Sequence, residues 1–188
     1  MKRRRVTVQS SRTIYTYVYL YHGAHQAIEQ AEASNEGSFY NCMSAIILCA
    51  FCIEAYLNHI GSETFVYWDS LERLKPREKL DVLKGHFGRL SCDVSRRPFQ
   101  SFTIIFKFRN LIAHGKTEIL SAEDIQELAE GERPKQSETE WEMLCTIVNA
   151  KRLLEDTKGM ITEINKTLGR GDYPFGTFGH GSTSVGPA

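Results

Sequence analysis

The stretch from Ser38 to Ile60, SFYNCMSAIILCAFCIEAYLNHI, decides the fold of this chain. Hydrophobic residues occupy nearly every side of the helix that it predicts, so we expect this helix at the centre of a bundle. Gly61 is predicted to end the helix. The longest apolar run, from Ala45 to Ile53, stops at Glu54 and is far shorter than the roughly 18 residues that a membrane span needs. We therefore predict no membrane span.

Further helices are predicted on both sides of this segment, from apolar residues at helical spacing, from a proline that begins a helix and from glycines that end helices. Tyrosines recur at every second position between residues 15 and 21, as in a strand. Because the helical spacing continues to Ala33, we predict a helix there, after a short extended arm at Val6–Val8. The predicted helices cover residues 12–34, 38–60, a short turn at 69–74, 76–87, 97–114, 121–130 and 138–168.

These elements predict an all-α fold, an up-and-down bundle of four or five main helices. The length of 188 residues, with 41% hydrophobic and 24% charged residues, suits one globular domain with a substantial core. We expect an N-terminal arm at 1–11, a helical domain at 12–168 and a flexible, glycine-rich tail at 169–188.

Charge and cysteine content narrow the classes of function. Lys and Arg together number 23, as do Asp and Glu, so the formal net charge is zero. A neutral chain argues against a protein that coats nucleic acid electrostatically, but it allows a small local phosphate site. The five cysteines fit reduced thiols better than a disulfide framework. Polar residues at 9–13 interrupt any signal-peptide core, so we expect a cytoplasmic protein.

The strongest functional signal is Phe108-Arg109-Asn110-Leu111-Ile112-Ala113-His114-Gly115, at the end of the predicted helix 97–114. An arginine binds a phosphate with a fixed fork of donors, and a histidine transfers protons near neutral pH. Asn110 and His114 are four residues apart and can touch on one face of a helix. Arg109 and His114 are separated by about 140° on a regular helix, so they do not share one face. The long arginine side chain or distortion at the helix end could bring them together, and a dimer that faces two motif helices across a cleft would ease the problem.

The same helix predicts two apolar faces. Phe102 and Phe106 lie off the core face and form a second stripe with Arg109 and Ala113. This stripe fits two interpretations, a contact with a second copy of the chain across a dimer interface or burial under the last helix of the same chain. The core face itself consists of Ile104, Ile105, Phe108, Leu111 and Ile112.

Glu54 is a carboxylate within a buried stripe of the central helix, where its burial is costly unless it is paired. In one interpretation, Glu54 orients Arg109 or His114 for a reaction. In the other, Glu54 and Arg109 form a purely structural salt bridge. Asn58, one turn further along the helix, fits either network.

The Arg109-Asn110-(three residues)-His114 pattern resembles the signature of HEPN domains, a helical nucleotide-binding family. The resemblance extends to the central helix ending Glu54-Ala55-Tyr56-Leu57-Asn58 and to an intervening lysine-containing helix. It implies a helical bundle and a homodimer that faces two motif helices across a cleft. Many HEPN proteins are metal-independent endoribonucleases, and some carry an acidic residue on the helix that corresponds to the one with Glu54.

The resemblance implies a metal-independent endoribonuclease, in a toxin, defence or stress system. His114 would act as acid or base, Arg109 would stabilise charge on the phosphoryl oxygens, and Asn110 would hold the imidazole or a phosphate oxygen. Glu54 would orient them. The expected partners are RNA, a second copy of the chain, and an antitoxin or other partner protein, with no metal and no cofactor. The alternative is a non-catalytic HEPN-like dimer that binds nucleotides or proteins, which the zero net charge favours.

Overall fold

The computed structural model describes residues 4–121 and 123–187. Within these ranges the chain forms six helices and one two-stranded antiparallel sheet. In chain order the elements are β1 (Val6–Ile14), α1 (Thr16–Ala33), α2 (Ser38–Thr64), α3 (Trp68–Leu71), α4 (Pro76–Phe87), α5 (Gln100–Ala113), α6 (Ile147–Thr167) and β2 (Gly179–Pro187).

The sheet makes the fold a mixed α and β fold, so the expectation of an all-α bundle is wrong. The strands come from the two segments that were expected to be an arm and a flexible tail. They pair antiparallel, with Val8 opposite Val185 and Ile14 opposite Gly179. The sequence gives little local sign of this pairing, because β2 is mostly Gly, Ser and Thr and its partner is at the other end of the chain.

The end of this sheet next to α1, where β1 ends and β2 begins, requires a glycine. Gly179 has a φ of +133°, and a Cβ atom at this position would lie 2.0 Å from the backbone oxygen of Thr13. Next to it, the Tyr15 N–H donates to the Phe178 carbonyl oxygen at 3.0 Å, and the Tyr19 and Phe178 rings pack with centroids 4.7 Å apart. These contacts fix the sheet to the start of α1.

α2 is the central helix of the bundle and contacts α1, α3, α4, α5 and α6. Large side chains along it, including Ile46, Tyr56, Leu57 and Ile60, are fully buried. By length and composition α2 is also apolar enough to cross a membrane, and half of its most apolar window is buried inside the bundle. The core helix of a globular domain has the same properties.

Some helix bounds differ from the sequence expectation, and α2 continues through Gly61 to Thr64, so the expectation that Gly61 ends it is wrong. α4 has the expected bounds, whereas α6 begins at Ile147 rather than near residue 138, because the Thr146 side chain accepts from the Asn149 N–H at 3.2 Å and caps the helix there. The helix expected at 121–130 is wrong, since the described residues of this segment form none. Its Ile125 side chain is 97% exposed, so no packing stabilises a short helix at this place.

Candidate functional site

The four residues proposed from the sequence to carry chemistry line one cleft. The cleft lies between the N-terminal end of α4 and the C-terminal half of α5, and its volume is about 510 Å³. α2 contributes Glu54 and α5 contributes Arg109 and Asn110, while His114 is the residue that follows the last turn of α5. A single copy of the chain therefore brings the four residues to one cavity.

Positive charge is concentrated in this cleft. Four cationic side chains line it, Arg73, Lys75, Arg77 and Arg109, against a single carboxylate, that of Glu54. The N-terminal end of α4 adds the partial positive charge of its helix dipole. In a chain with zero formal net charge, this local excess makes the cleft a place where an anion is attracted.

Glu54 holds two cations at once. Its Oε1 accepts from the Lys79 Nζ at 2.9 Å, and its Oε2 accepts from the Arg109 Nη2 at 3.1 Å. The Lys79 side chain is 1% exposed, whereas Glu54 and Arg109 are 26% and 22% exposed. The structural interpretation of the Glu54–Arg109 contact thus agrees with the geometry, and the same contact also fixes the direction of the guanidinium.

Lys79 was not singled out from the sequence. It is four residues before Leu83 and adjacent to Leu80, and both leucines are fully buried, so helical spacing places Lys79 at the edge of the buried stripe of α4. A buried lysine needs an opposite charge, and Glu54 was already a carboxylate in need of a partner. These two signals together would have predicted the pair.

The ion pair with Glu54 involves only one nitrogen of the Arg109 guanidinium. Its Cζ atom lies 5.6 Å from the centroid of the Phe106 ring, within the range of a cation–π contact. In the part of the chain that the structure describes, the Arg109 Nε is buried and has no hydrogen-bond partner. Buried donors without a partner are uncommon in folded proteins and call for an explanation.

The second apolar stripe of the motif helix is covered within one chain. Phe102 is 4% exposed and Phe106 is 8% exposed, and their ring centroids are 4.6 Å apart. Of the two interpretations of this stripe, burial inside a single copy describes the structure. The stripe therefore no longer argues for a dimer, and a homodimer stays a prediction from the resemblance.

Asn110 and His114 are exposed at the end of α5. The His114 N–H donates to the Asn110 carbonyl oxygen at 3.0 Å, and the backbone of His114, at φ −119° and ψ 20°, has left the helix. Because His114 follows the last helical residue, the angle that separates it from Arg109 on a regular helix does not apply. Within the described ranges, neither side chain has a hydrogen-bond partner in the fold, so both are available to a ligand.

Asn58 joins neither network. It lines a separate cavity of about 420 Å³ together with Tyr15, His59 and Trp68. The Asn58 Oδ1 is buried and has no partner in the described residues. Burial lowers the pKa of His59, although nearby Glu63 acts in the opposite direction, so the imidazole in this cavity favours its neutral form.

The cysteines are buried and form no disulfides in the described ranges. Burial raises the pKa of Cys49 to about 12 and the pKa values of Cys92 and Cys145 to about 11, which makes these thiols poor nucleophiles. Among residues 4–121 and 123–187, no group of three or more His, Cys, Asp or Glu side chains is arranged to hold a metal ion.

Comparison with known proteins gives no match, neither to a protein-family model nor to a curated protein nor to a solved structure. The resemblance to HEPN domains thus rests on the motif residues quoted above and has no support beyond them.

Proposed function

We propose that this protein is a metal-independent endoribonuclease of HEPN type that cuts RNA at the cleft between α4 and α5. The observation that carries the proposal is the convergence of Arg109, Asn110 and His114 on one cleft in which four cationic side chains face a single carboxylate. An arginine near a histidine, in a cavity that attracts anions, can support metal-independent phosphodiester cleavage.

The proposed reaction uses the ribose 2′-hydroxyl of RNA as the nucleophile. Its proton is removed as the 2′-oxygen bonds to the adjacent phosphorus, and the bond from phosphorus to the 5′-oxygen breaks. The 5′-oxygen takes up a proton, so the products are a 2′,3′-cyclic phosphate and a 5′-hydroxyl. His114 transfers one of these two protons, and solvent carries the other.

Arg109 stabilises the charge that builds up on the phosphoryl oxygens. Its contact with Glu54 uses Nη2 and its Nε is buried, so in this proposal the Nη1 donors bind the phosphate. Asn110 is one turn before His114, so its amide is placed to hold the imidazole or a phosphate oxygen. Glu54 and Lys79 are positioning residues in this proposal, because they act through Arg109.

From the resemblance to HEPN domains we also propose a homodimer and a partner protein. A homodimer would face two such clefts toward each other, and an antitoxin or another partner protein would control the activity in a toxin or defence system. Since one chain already lines the cleft with Arg109 and His114, the proposed reaction does not need a residue from the second copy. Sedimentation of the purified protein tests the dimer directly.

The test is cleavage of a labelled single-stranded RNA in the presence of EDTA. The wild type is expected to cut, and His114→Ala is expected to abolish cutting while the circular dichroism spectrum stays unchanged. His25→Ala is the matched control, because His25 is an exposed histidine on α1 that pairs only with Glu29, at 3.5 Å. Cutting that survives His114→Ala, or that needs magnesium, would overturn the proposal.

The second candidate is a non-catalytic module that binds nucleotides or proteins. The zero net charge favours it, because non-specific affinity for RNA comes mainly from net positive charge. It predicts binding of a nucleotide or RNA in the cleft with no cleavage of any RNA tested. Arg109→Ala would then weaken binding, whereas His114→Ala would leave binding within about twofold.

A further inference from the structure

We infer that the apolar groove next to the cleft holds one unstacked base of the RNA strand, beside the phosphate that is cut. The inference rests on the proposed function, which it extends from a reaction to a substrate: single-stranded RNA with a base turned out of the stack. Nothing in the motif itself points to this groove, because the motif explains only the phosphate and the proton.

The groove continues from the cleft. It has a volume of about 800 Å³ and lies between α5 and the segment at 115–118. Phe106, Asn110 and His114 line both cavities, so a strand whose phosphate is at Arg109 and His114 has the groove within reach of its next base.

The groove has the chemistry of a base site. Leu111, which is 38% exposed, provides open apolar surface, and Phe102 and Phe106 also line the groove but show only their edges, being 4% and 8% exposed. Aromatic and aliphatic surface of this kind binds the faces of bases, whatever their sequence. At the junction with the cleft, the Asn110 amide offers both a donor and an acceptor to the polar edge of a base.

The rim of the groove favours an RNA strand over a second copy of this chain. Arg77, Lys107 and Lys116 lie on it with one carboxylate, that of Glu118. Arg77 and Lys107 also pair with Asp81 and Glu140, but both pairs are exposed, and exposed pairs are weak enough for a phosphate to compete with them. The cores of dimer interfaces are depleted in charged residues, whereas a strand with a phosphate at each nucleotide can bind to lysine and arginine side chains along a charged rim. We therefore assign the groove to the base of an RNA strand.

Binding of RNA that cannot be cut tests this assignment separately from catalysis. The probe is a labelled six-nucleotide RNA with 2′-O-methyl groups, compared with versions that lack one base at a time. We expect the loss of one particular base to weaken binding about tenfold, which is the usual size of one stacking contact. Leu111→Trp and, independently, Thr103→Trp fill the groove and should remove this dependence. Val148→Trp is the matched control, because Val148 is 77% exposed on α6 and does not line the groove.

The results distinguish the base site in the groove from the cleavage reaction in the cleft. Binding that depends on one base, with no cleavage of normal RNA, would keep the base site and overturn the proposed reaction. Cleavage with no dependence on any base, and with both groove-filling variants fully active, would overturn the base site and keep the reaction. Failure to bind the probe at all, or a groove-filling variant that lowers the sedimenting mass instead of RNA affinity, would also overturn the base site.

Discussion

A cluster of charged side chains lies at each end of α5. The two clusters differ in how many of their side-chain polar groups have a hydrogen-bond partner in the protein. At the N-terminal end, Asp156 is almost fully buried and accepts from the Arg97 Nε at 2.9 and 3.0 Å. The Ser101 hydroxyl also donates to Asp156, at 2.5 Å. Among the described residues, no buried side-chain nitrogen or oxygen of Arg97, Ser101 or Asp156 is without a hydrogen-bond partner, so we call this cluster closed.

At the C-terminal end, the cluster is open. Glu54 pairs with Lys79 and Arg109, but the Arg109 Nε is buried without a partner in the described part of the chain, and Asn110 and His114 point their side chains to the cleft. Polar groups without a protein partner beside a cavity fit a place where a ligand completes the hydrogen bonding, as our proposal requires. The comparison suggests a working rule for the proposed site: incomplete pairing beside a cavity that also holds a proton-transfer group, rather than buried charge alone, is what we would look for.

The largest effect on stability is expected at the open end, for Glu54→Ala. This change leaves the 1%-exposed Lys79 without its carboxylate, and breaking a buried pair in this way costs about 3–5 kcal/mol of the free energy of unfolding. Chemical denaturation measures the loss. The control is Glu140→Ala, because Glu140 is 75% exposed and its pair with Lys107 contributes at most about 1 kcal/mol.

A double variant sharpens this prediction. Glu54→Leu combined with Lys79→Met removes both charges and keeps the volume, so it should recover most of the lost stability. If Glu54→Ala costs no more than Glu140→Ala, the Glu54–Lys79 pair is not the buried contact described above.

An intermediate effect is expected at the closed end, for Asp156→Asn. The buried carboxylate loses its charge-assisted hydrogen bonds, but Arg97 is 52% exposed and can turn to solvent, so we expect a loss of about 2 kcal/mol. RNA cleavage, once normalised to folded protein, should be unchanged. Reduced cleavage by fully folded Asp156→Asn would contradict the assignment of this end to structure alone.

Two local features of the sequence pointed to residues that line the cleft: the carboxylate of Glu54 and the motif that contains Arg109. A carboxylate inside the apolar stripe of α2 needed a partner, and Arg109 on the motif helix was named as that partner, which the 3.1 Å contact agrees with. The bounds of α4 were also predictable, because Pro76 begins it and Gly88, with a φ of +63°, follows its end.

Other features depend on contacts that a local pattern does not contain. β1 and β2 form only by pairing with each other across the length of the chain, and the exposed, polar residues of both strands lack the alternation that marks a half-buried strand. The role of Lys79 depends on which helix packs against α2. The cavity beside Arg109 is likewise a product of packing between α4 and α5.

The smallest effect on stability is expected for Arg109→Ala. Glu54 keeps its bond to Lys79 and is a quarter exposed, so the loss should be about 1 kcal/mol. Cleavage of RNA should nevertheless fall by at least about 100-fold, because the phosphoryl charge loses its main stabiliser. Arg109→Lys keeps the charge but not the fork of donors, and should recover only part of the activity.

A thermodynamic cycle checks the contact behind that prediction. Arg109→Ala and Glu54→Gln should show a coupling of about 0.5–1 kcal/mol when their separate and combined effects on the free energy of unfolding are compared. Strictly additive losses would show that the two side chains do not interact, and the positioning role of Glu54 would be withdrawn.

The central claim is that the open end of α5 cleaves RNA through the ribose 2′-hydroxyl without a metal. The most direct measurement is mass spectrometry of the fragments that the wild type produces from one defined single-stranded RNA in EDTA. The account predicts a 2′,3′-cyclic phosphate on one fragment, a 5′-hydroxyl on the other, and no cut at the same bond when the nucleotide on its 5′ side is 2′-deoxy. Fragments with a 5′-phosphate and a 3′-hydroxyl, or equal cutting at the 2′-deoxy nucleotide, would contradict it.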